Sequence, residues 1–78
     1  MVTVRLFAAA AEAAGCEETS VPSGTTSQIG EQLIETGGDE FARVWRQCAL
    51  MVEGRRVGPD EVIADGSMLD VLPPFAGG

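Results

Sequence analysis

Residue types that can do covalent chemistry are scarce in this chain. It has no histidine, no lysine and two cysteines, Cys16 and Cys48, in 78 residues. The absence of histidine removes the commonest general base and the commonest metal ligand together. The cysteines form no C-x-x-C pair and no zinc spacing. They read as buried, inert thiols, and nothing in their placement asks for a disulfide. What remains is the last stretch, Pro73-Pro74-Phe75-Ala76-Gly77-Gly78. Prolines hold φ near −65° and donate no backbone hydrogen bond, so they favour an extended lead away from whatever precedes them. Glycines carry no side chain, so a partner can close tightly around the backbone. The tip is a bare carboxylate, and Pro73 to Gly78 extended reaches roughly 17 Å at about 3.4 Å per residue. That is enough to enter another protein's active site. The plain alternative is a disordered tail that finishes in Gly-Gly.

The rest of the chain must hold this tail. Its 78 residues make one small domain. A domain of that size buries only about 60% of its unfolded surface, which leaves little room for a deep pocket of its own. A hydrophobic content of 45% marks it as folded rather than disordered. Twelve Asp and Glu face five basic residues, all arginine, for a net charge of −7. That charge repels phosphate backbones and anionic lipids, so neither a nucleic-acid nor a membrane partner is expected. It favours a basic protein partner, or serves solubility alone. The apolar run Leu6–Ala11 after Arg5 is shorter than the ~7–15 residues of a signal-peptide core. It reads as the end of a strand and the start of a helix. No stretch approaches the ~18 apolar residues of a membrane span, so a cytoplasmic chain is expected.

Hydrophobic periodicity places the elements. Val2, Val4 and Leu6 alternate with Thr3 and Arg5, as in a strand with one buried face, and Phe7 falls on the other face. Alanine-rich 8–14 suits a short helix that Gly15 stops. Cys16–Val21 is a short acidic strand of the kind found at a sheet edge. Pro22-Ser23-Gly24 turns the chain, and Thr25-x-x-Gln28 has the form of a capping box that opens a helix. Ile29, Leu33 and Ile34 make the buried stripe of that helix, and Glu31, Gln32 and Glu35 its wet side. Gly30 either weakens it or lets something pack close. Gly37-Gly38 ends the first piece. Asp39 and Glu40 open a second, with Phe41, Val44 and Trp45 as its apolar side and Arg43 and Arg46 outward. Cys48–Val52 reads as a buried strand, Gly54 as a reversal and Arg55-Arg56 as a solvated loop pair. Gly58–Glu61 and Asp65-Gly66 are turns around a short apolar touch at Val62-Ile63. Ser67–Leu72 is the last strand, with Leu69 and Val71 on one face and Met68, Asp70 and Leu72 on the other. Pro73 and Pro74 stop it. The dense apolar faces of the first and last strands make them central neighbours. The expected architecture is an α+β roll: a mixed sheet of about four to five strands packed on one main helix. Residues 1–72 form the domain and 73–78 an extended tail.

The element order, Asp65-Gly66 before the last strand, Leu69-Asp70-Val71-Leu72 and the ending Pro-Pro-Phe-Ala-Gly-Gly together resemble the β-grasp sulfur carrier family, related in fold to ubiquitin. Within it the chain is similar to the small subunits of molybdopterin synthase. The double proline favours that branch over the thiamine sulfur carriers, which are usually shorter and lack it. Ser67-Met68 departs from the acidic residue that many relatives carry after the Asp-Gly turn. The resemblance implies that Gly78 is the reactive residue. It would be adenylated by a ubiquitin-activating-like enzyme that uses ATP and magnesium, then converted by a sulfur donor protein to a thiocarboxylate. It also implies that Gly77, Ala76, Phe75 and Pro74 dock the tail in the partner. That partner would be the molybdopterin synthase large subunit, which holds the catalytic residues; the chain itself would bind no cofactor or metal and catalyse nothing alone. Other readings of the same end remain: sulfur transfer toward thiamine, cysteine or another thiolated product, a ubiquitin-like modifier joined through Gly78 to target lysines, or a non-covalent interaction domain that makes no use of the tail.

Overall fold

The computed structural model describes residues 1–74. Strand β1 (Val2–Leu6) buries Val2, Val4 and Leu6 almost completely, as its alternation requires. The chain turns over Phe7 and Ala8 into α1 (Ala9–Ala14), and Gly15 closes that helix by donating its N–H to the Ala11 carbonyl. Strand β2 (Glu18–Val21) returns antiparallel to β1, with Val21 opposite Val2, and forms an edge of the sheet.

A two-residue strand β3 (Gly24–Thr25) leads into the long α2 (Thr26–Trp45). Both arms of the capping box form: the Gln28 N–H donates to Thr25 Oγ1 at 3.1 Å, and the Thr25 N–H donates to Gln28 Oε1 at 2.9 Å. Ile29, Leu33 and Phe41 are buried beneath the helix. Gly38, at φ 78° and ψ −166°, breaks the helical path into the two pieces that Gly37-Gly38 predicts. Only glycine adopts that backbone without cost. Beyond the break Trp45 folds back against Gly30; a methyl group at Gly30 would lie 2.6 Å from the indole ring. Gly30 is therefore the close-approach site rather than a mere weakness in the helix.

Strand β4 (Ala49–Val52) reverses through Glu53 and Gly54, both at positive φ (52° and 77°), into β5 (Arg55–Arg56). Two successive positive φ values are the signature of the hairpin turn whose twist suits antiparallel strands. Strand β6 (Val62–Ile63) pairs with β3 in a small second sheet, and β7 (Met68–Leu72) completes the main one. The main sheet runs β2-β1-β7-β4-β5, with β7 parallel to β1 and antiparallel to β4. Val2, Val4, Leu6, Leu69 and Val71 face α2 across one core. This is the α+β β-grasp roll, a five-stranded mixed sheet on one main helix.

Three expectations are corrected. Cys48–Val52 is not buried on both faces: the strand covers Ala49–Val52, and every residue in it is half-exposed. Leu50 and Val52 meet the core, while Ala49 and Met51 lie on the open face. Arg55 and Arg56 are a strand, not a loop, because the tight turn places them in register with Val52 and Met51. Cys16 is exposed, since it precedes β2 in the connecting loop; Cys48 is half-buried, and burial pushes its thiol up to about 11. Its Sγ donates to the Val44 carbonyl at 3.2 Å.

Ala8 sits at φ 50° and ψ −125°, a conformation that costs an L-residue about 1–3 kcal/mol. The bend is held by the Ala10 N–H donating to the Phe7 carbonyl at 3.0 Å. Ala8→Gly is expected to raise unfolding free energy by about 1 kcal/mol, the relief of strain exceeding the added freedom of the unfolded chain. Gly30→Ala is expected to lower it by about 1–2 kcal/mol despite alanine's better helix propensity, because the indole must shift. Urea unfolding followed by Trp45 fluorescence measures both, and a gain on Gly30→Ala would show that the ring moves freely.

Candidate functional site

The tail leaves from the middle of the sheet. Strand β7 is bracketed by β1 and β4, and Leu69 and Val71 are fully buried. The Phe7 N–H donates to the Val71 carbonyl at 3.3 Å, which extends the β1–β7 contact to the point where β7 ends. Leu72 faces Ala49 of β4, and Pro73 and Pro74 follow it out of the ladder. A proline cannot continue the donor pattern, so the break falls where the sequence places it.

On the open face of the sheet, Arg5 spans β1 and β7. Its Nε donates to Asp70 Oδ1 at 2.7 Å and its Nη2 to Asp70 Oδ2 at 2.9 Å. The hydrogen bond and charge of Asp70 raise the Arg5 guanidinium above its ordinary value, so it stays charged at every relevant pH. The pair is solvated and adds little to stability, but its two-pronged geometry links β1 to β7 at one defined register. The Arg5 guanidinium carbon also lies 5.8 Å from the centre of the Phe7 ring, which is 39% exposed.

Phe7 and Ala8 on one side, Gln47, Ala49 and Arg56 on the other, and Leu72, Pro73 and Pro74 of the departing chain line an open groove of about 630 Å³. Its lining is mostly apolar, and among the described residues Gln47 and Arg56 are its polar side chains, with no nucleophile and no general base. An open, mostly apolar groove of this kind suits an apolar surface.

Of the residues singled out from the sequence, Pro74 lies exposed at the groove's end. Phe75, Ala76, Gly77 and Gly78 lie outside the described residues. Sequence reasoning missed Phe7, Ala8, Gln47 and Arg56 as neighbours of the tail root. The signal for Phe7 was present, as a large aromatic on the strand face opposite to the valines. Gln47 and Arg56 carry no such signal, because only the hairpin and the end of α2 bring them there.

A profile of the ThiS family matches residues 4–78. No curated protein matches the chain. Among solved structures, a Pyrococcus furiosus protein named as molybdopterin converting factor subunit 1 shares 27% identity at a TM-score of 0.74, over 95% of this chain and 97% of that one. SAMP1 from Haloferax volcanii, a small archaeal modifier protein, shares 24% identity at a TM-score of 0.78, over 99% and 98%. A chain of the Amycolatopsis orientalis BexX/CysO complex shares 22% at a TM-score of 0.79, over the whole of both chains. The last two likenesses speak to the fold alone. With a family match over nearly its whole length and the β-grasp roll in place, the chain belongs to the ThiS family of β-grasp sulfur carriers.

Proposed function

We propose that the chain is the small subunit of a molybdopterin synthase and carries sulfur on Gly78 for molybdenum cofactor synthesis. The observation that carries this reading is the placement of Pro73-Pro74: the proline pair leaves the central strand of the sheet, beside a groove that holds no reactive group among the described residues. Family membership supports the carrier role, and the ending Pro73-Pro74-Phe75-Ala76-Gly77-Gly78 supports the molybdopterin branch. So does the likeness to the Pyrococcus furiosus protein named for that pathway. The relatives' names point to several pathways, so the acceptor of the sulfur is the part of the proposal that experiment must decide.

The chemistry follows from the carboxylate. At neutral pH it is ionised and a poor electrophile. An adenylating partner with ATP and magnesium joins the Gly78 carboxylate to AMP and releases pyrophosphate. Sulfide delivered by a sulfur donor protein then attacks the Gly78 carbonyl carbon, the bond to AMP breaks and AMP leaves with its electron pair, so the terminus becomes a thiocarboxylate. The tail next enters the large subunit, whose residues catalyse transfer of the sulfur to the pterin precursor. Gly77 and Ala76 would thread a narrow channel, while Phe75 and Pro74 anchor its mouth as exposed apolar residues do at interfaces.

Incubation with the adenylating enzyme of the same organism, ATP, magnesium and a sulfur source should yield a chain heavier by the difference between one sulfur and one oxygen, with the change on Gly78. Recovery of the plain carboxylate alone would refute the carrier role. Sulfur delivered to a pterin in the presence of a large subunit supports the molybdopterin branch; loaded chain that delivers only to another acceptor overturns that branch and leaves the carrier role standing. One residue added after Gly78 moves the terminal carboxyl by about 3.4 Å. It should lower sulfur transfer by at least about 100-fold, since misplacement of a reacting group by even 1 Å costs that much. The melting temperature should not change.

A further inference from the structure

The chain's charge is not evenly spread. Of its five arginines, three already have carboxylate partners: Arg5 with Asp70, Arg43 with Glu40 and Arg55 with Glu61. Arg46 and Arg56 meet no carboxylate among the described residues, and both are exposed. They come from different elements, the C-cap of α2 and the edge strand β5, yet line one open cleft of about 350 Å³ together with Trp45, Leu50 and Val57. Arg56 and Ala49 also line the groove at the tail root, so cleft and groove adjoin at these two residues. No Asp or Glu is among the lining residues of either, and the carboxylate at the cleft's edge, Asp60, is engaged by the Ser27 hydroxyl, which donates to its Oδ1 at 2.9 Å. The position of Arg46 at a helix C-terminus suits the helix dipole, but Arg56 has no such explanation.

We propose that this arginine-lined strip is a docking surface for an acidic protein segment. Its occupant is a stretch of the adenylating partner that sets Asp or Glu carboxylates on Arg46 and Arg56 and an apolar side chain against Trp45 while the tail enters the active site. The inference rests on the carrier reading above. Guanidinium groups pair carboxylates through two parallel hydrogen bonds, and an aromatic side chain lining the same cleft suits an apolar neighbour. A polyanion fits poorly, because two cations cannot hold a phosphate backbone against a net charge of −7. The remaining, acidic surface would repel the same segment, so the strip selects the one orientation that presents the tail.

The test is pyrophosphate release by the adenylating enzyme of the same organism, with ATP, against concentration of the full chain. Arg46→Glu/Arg56→Glu should raise KM by about tenfold or more with kcat within about twofold, as expected of charges that guide encounter and orientation. Arg43→Glu, on an arginine already paired with Glu40, should change KM by less than about twofold. Raising salt should increase KM for the wild-type chain and leave the double variant nearly unchanged. Arg46→Ala/Arg56→Ala, which adds no new charge, should fall between, and circular dichroism melts should confirm that all variants fold. A double reversal that leaves KM unchanged or lowers it, or an equal loss on Arg43→Glu, overturns the docking surface while the carrier reading stands. A wild-type chain that the enzyme does not adenylate overturns both.

Discussion

Strand β7 holds its place through ladders on both sides, parallel to β1 and antiparallel to β4, with Leu69 and Val71 sealed under α2. Moving it would open the core, the sheet and the Arg5–Asp70 clasp together. The chain segment that precedes the tail is therefore held on both sides and from beneath. The ladder ends at Leu72, and Pro73 and Pro74 donate nothing to it. The point where the chain leaves the sheet is thereby held from both sides.

A domain of this size has one core and one side of the sheet to spend on it. The inner face is fully used by α2, which leaves the outer face, with Phe7, Met68 and Leu72 beside the Arg5–Asp70 pair, turned to solvent. No enclosed site for catalysis could be added without giving up that core. The groove at the tail root is consistent with this limit: it is open, largely apolar and, among the described residues, without reactive groups.

Much of this architecture was legible because it depends on near neighbours. The two-residue alternation of Val2, Val4 and Leu6 names the buried face of β1. The Thr25–Gln28 box closes within a single turn, so the start of α2 can be read locally, and Gly37-Gly38 marks its break. What stayed hidden depends on distant partners. Strands β3 and β6 have two residues each and exist through contacts such as the Thr26 N–H donating to the Glu61 carbonyl at 3.0 Å. Arg55 and Arg56 read as loop because charge is common in turns, yet the hairpin register makes them an edge strand. Nothing in an alanine-rich run announces that Ala8 takes a left-handed bend. The cleft between Arg46 and Arg56 arises only when the end of α2 meets the β4–β5 hairpin.

The central place of β7 also orders events in time. Its partners on β1 lie 65 positions earlier, as at Arg5 and Asp70, and it is the last of the seven strands to be synthesised. The loop between those strands must close before their contacts gain anything, so the sheet cannot assemble on a growing chain. A ribosome that aborts before β7 releases a polypeptide without the middle of its sheet, its apolar faces open to proteases and chaperones. Folding thereby acts as proofreading of length: a chain that reaches the native state has been translated at least as far as the strand that bears the tail.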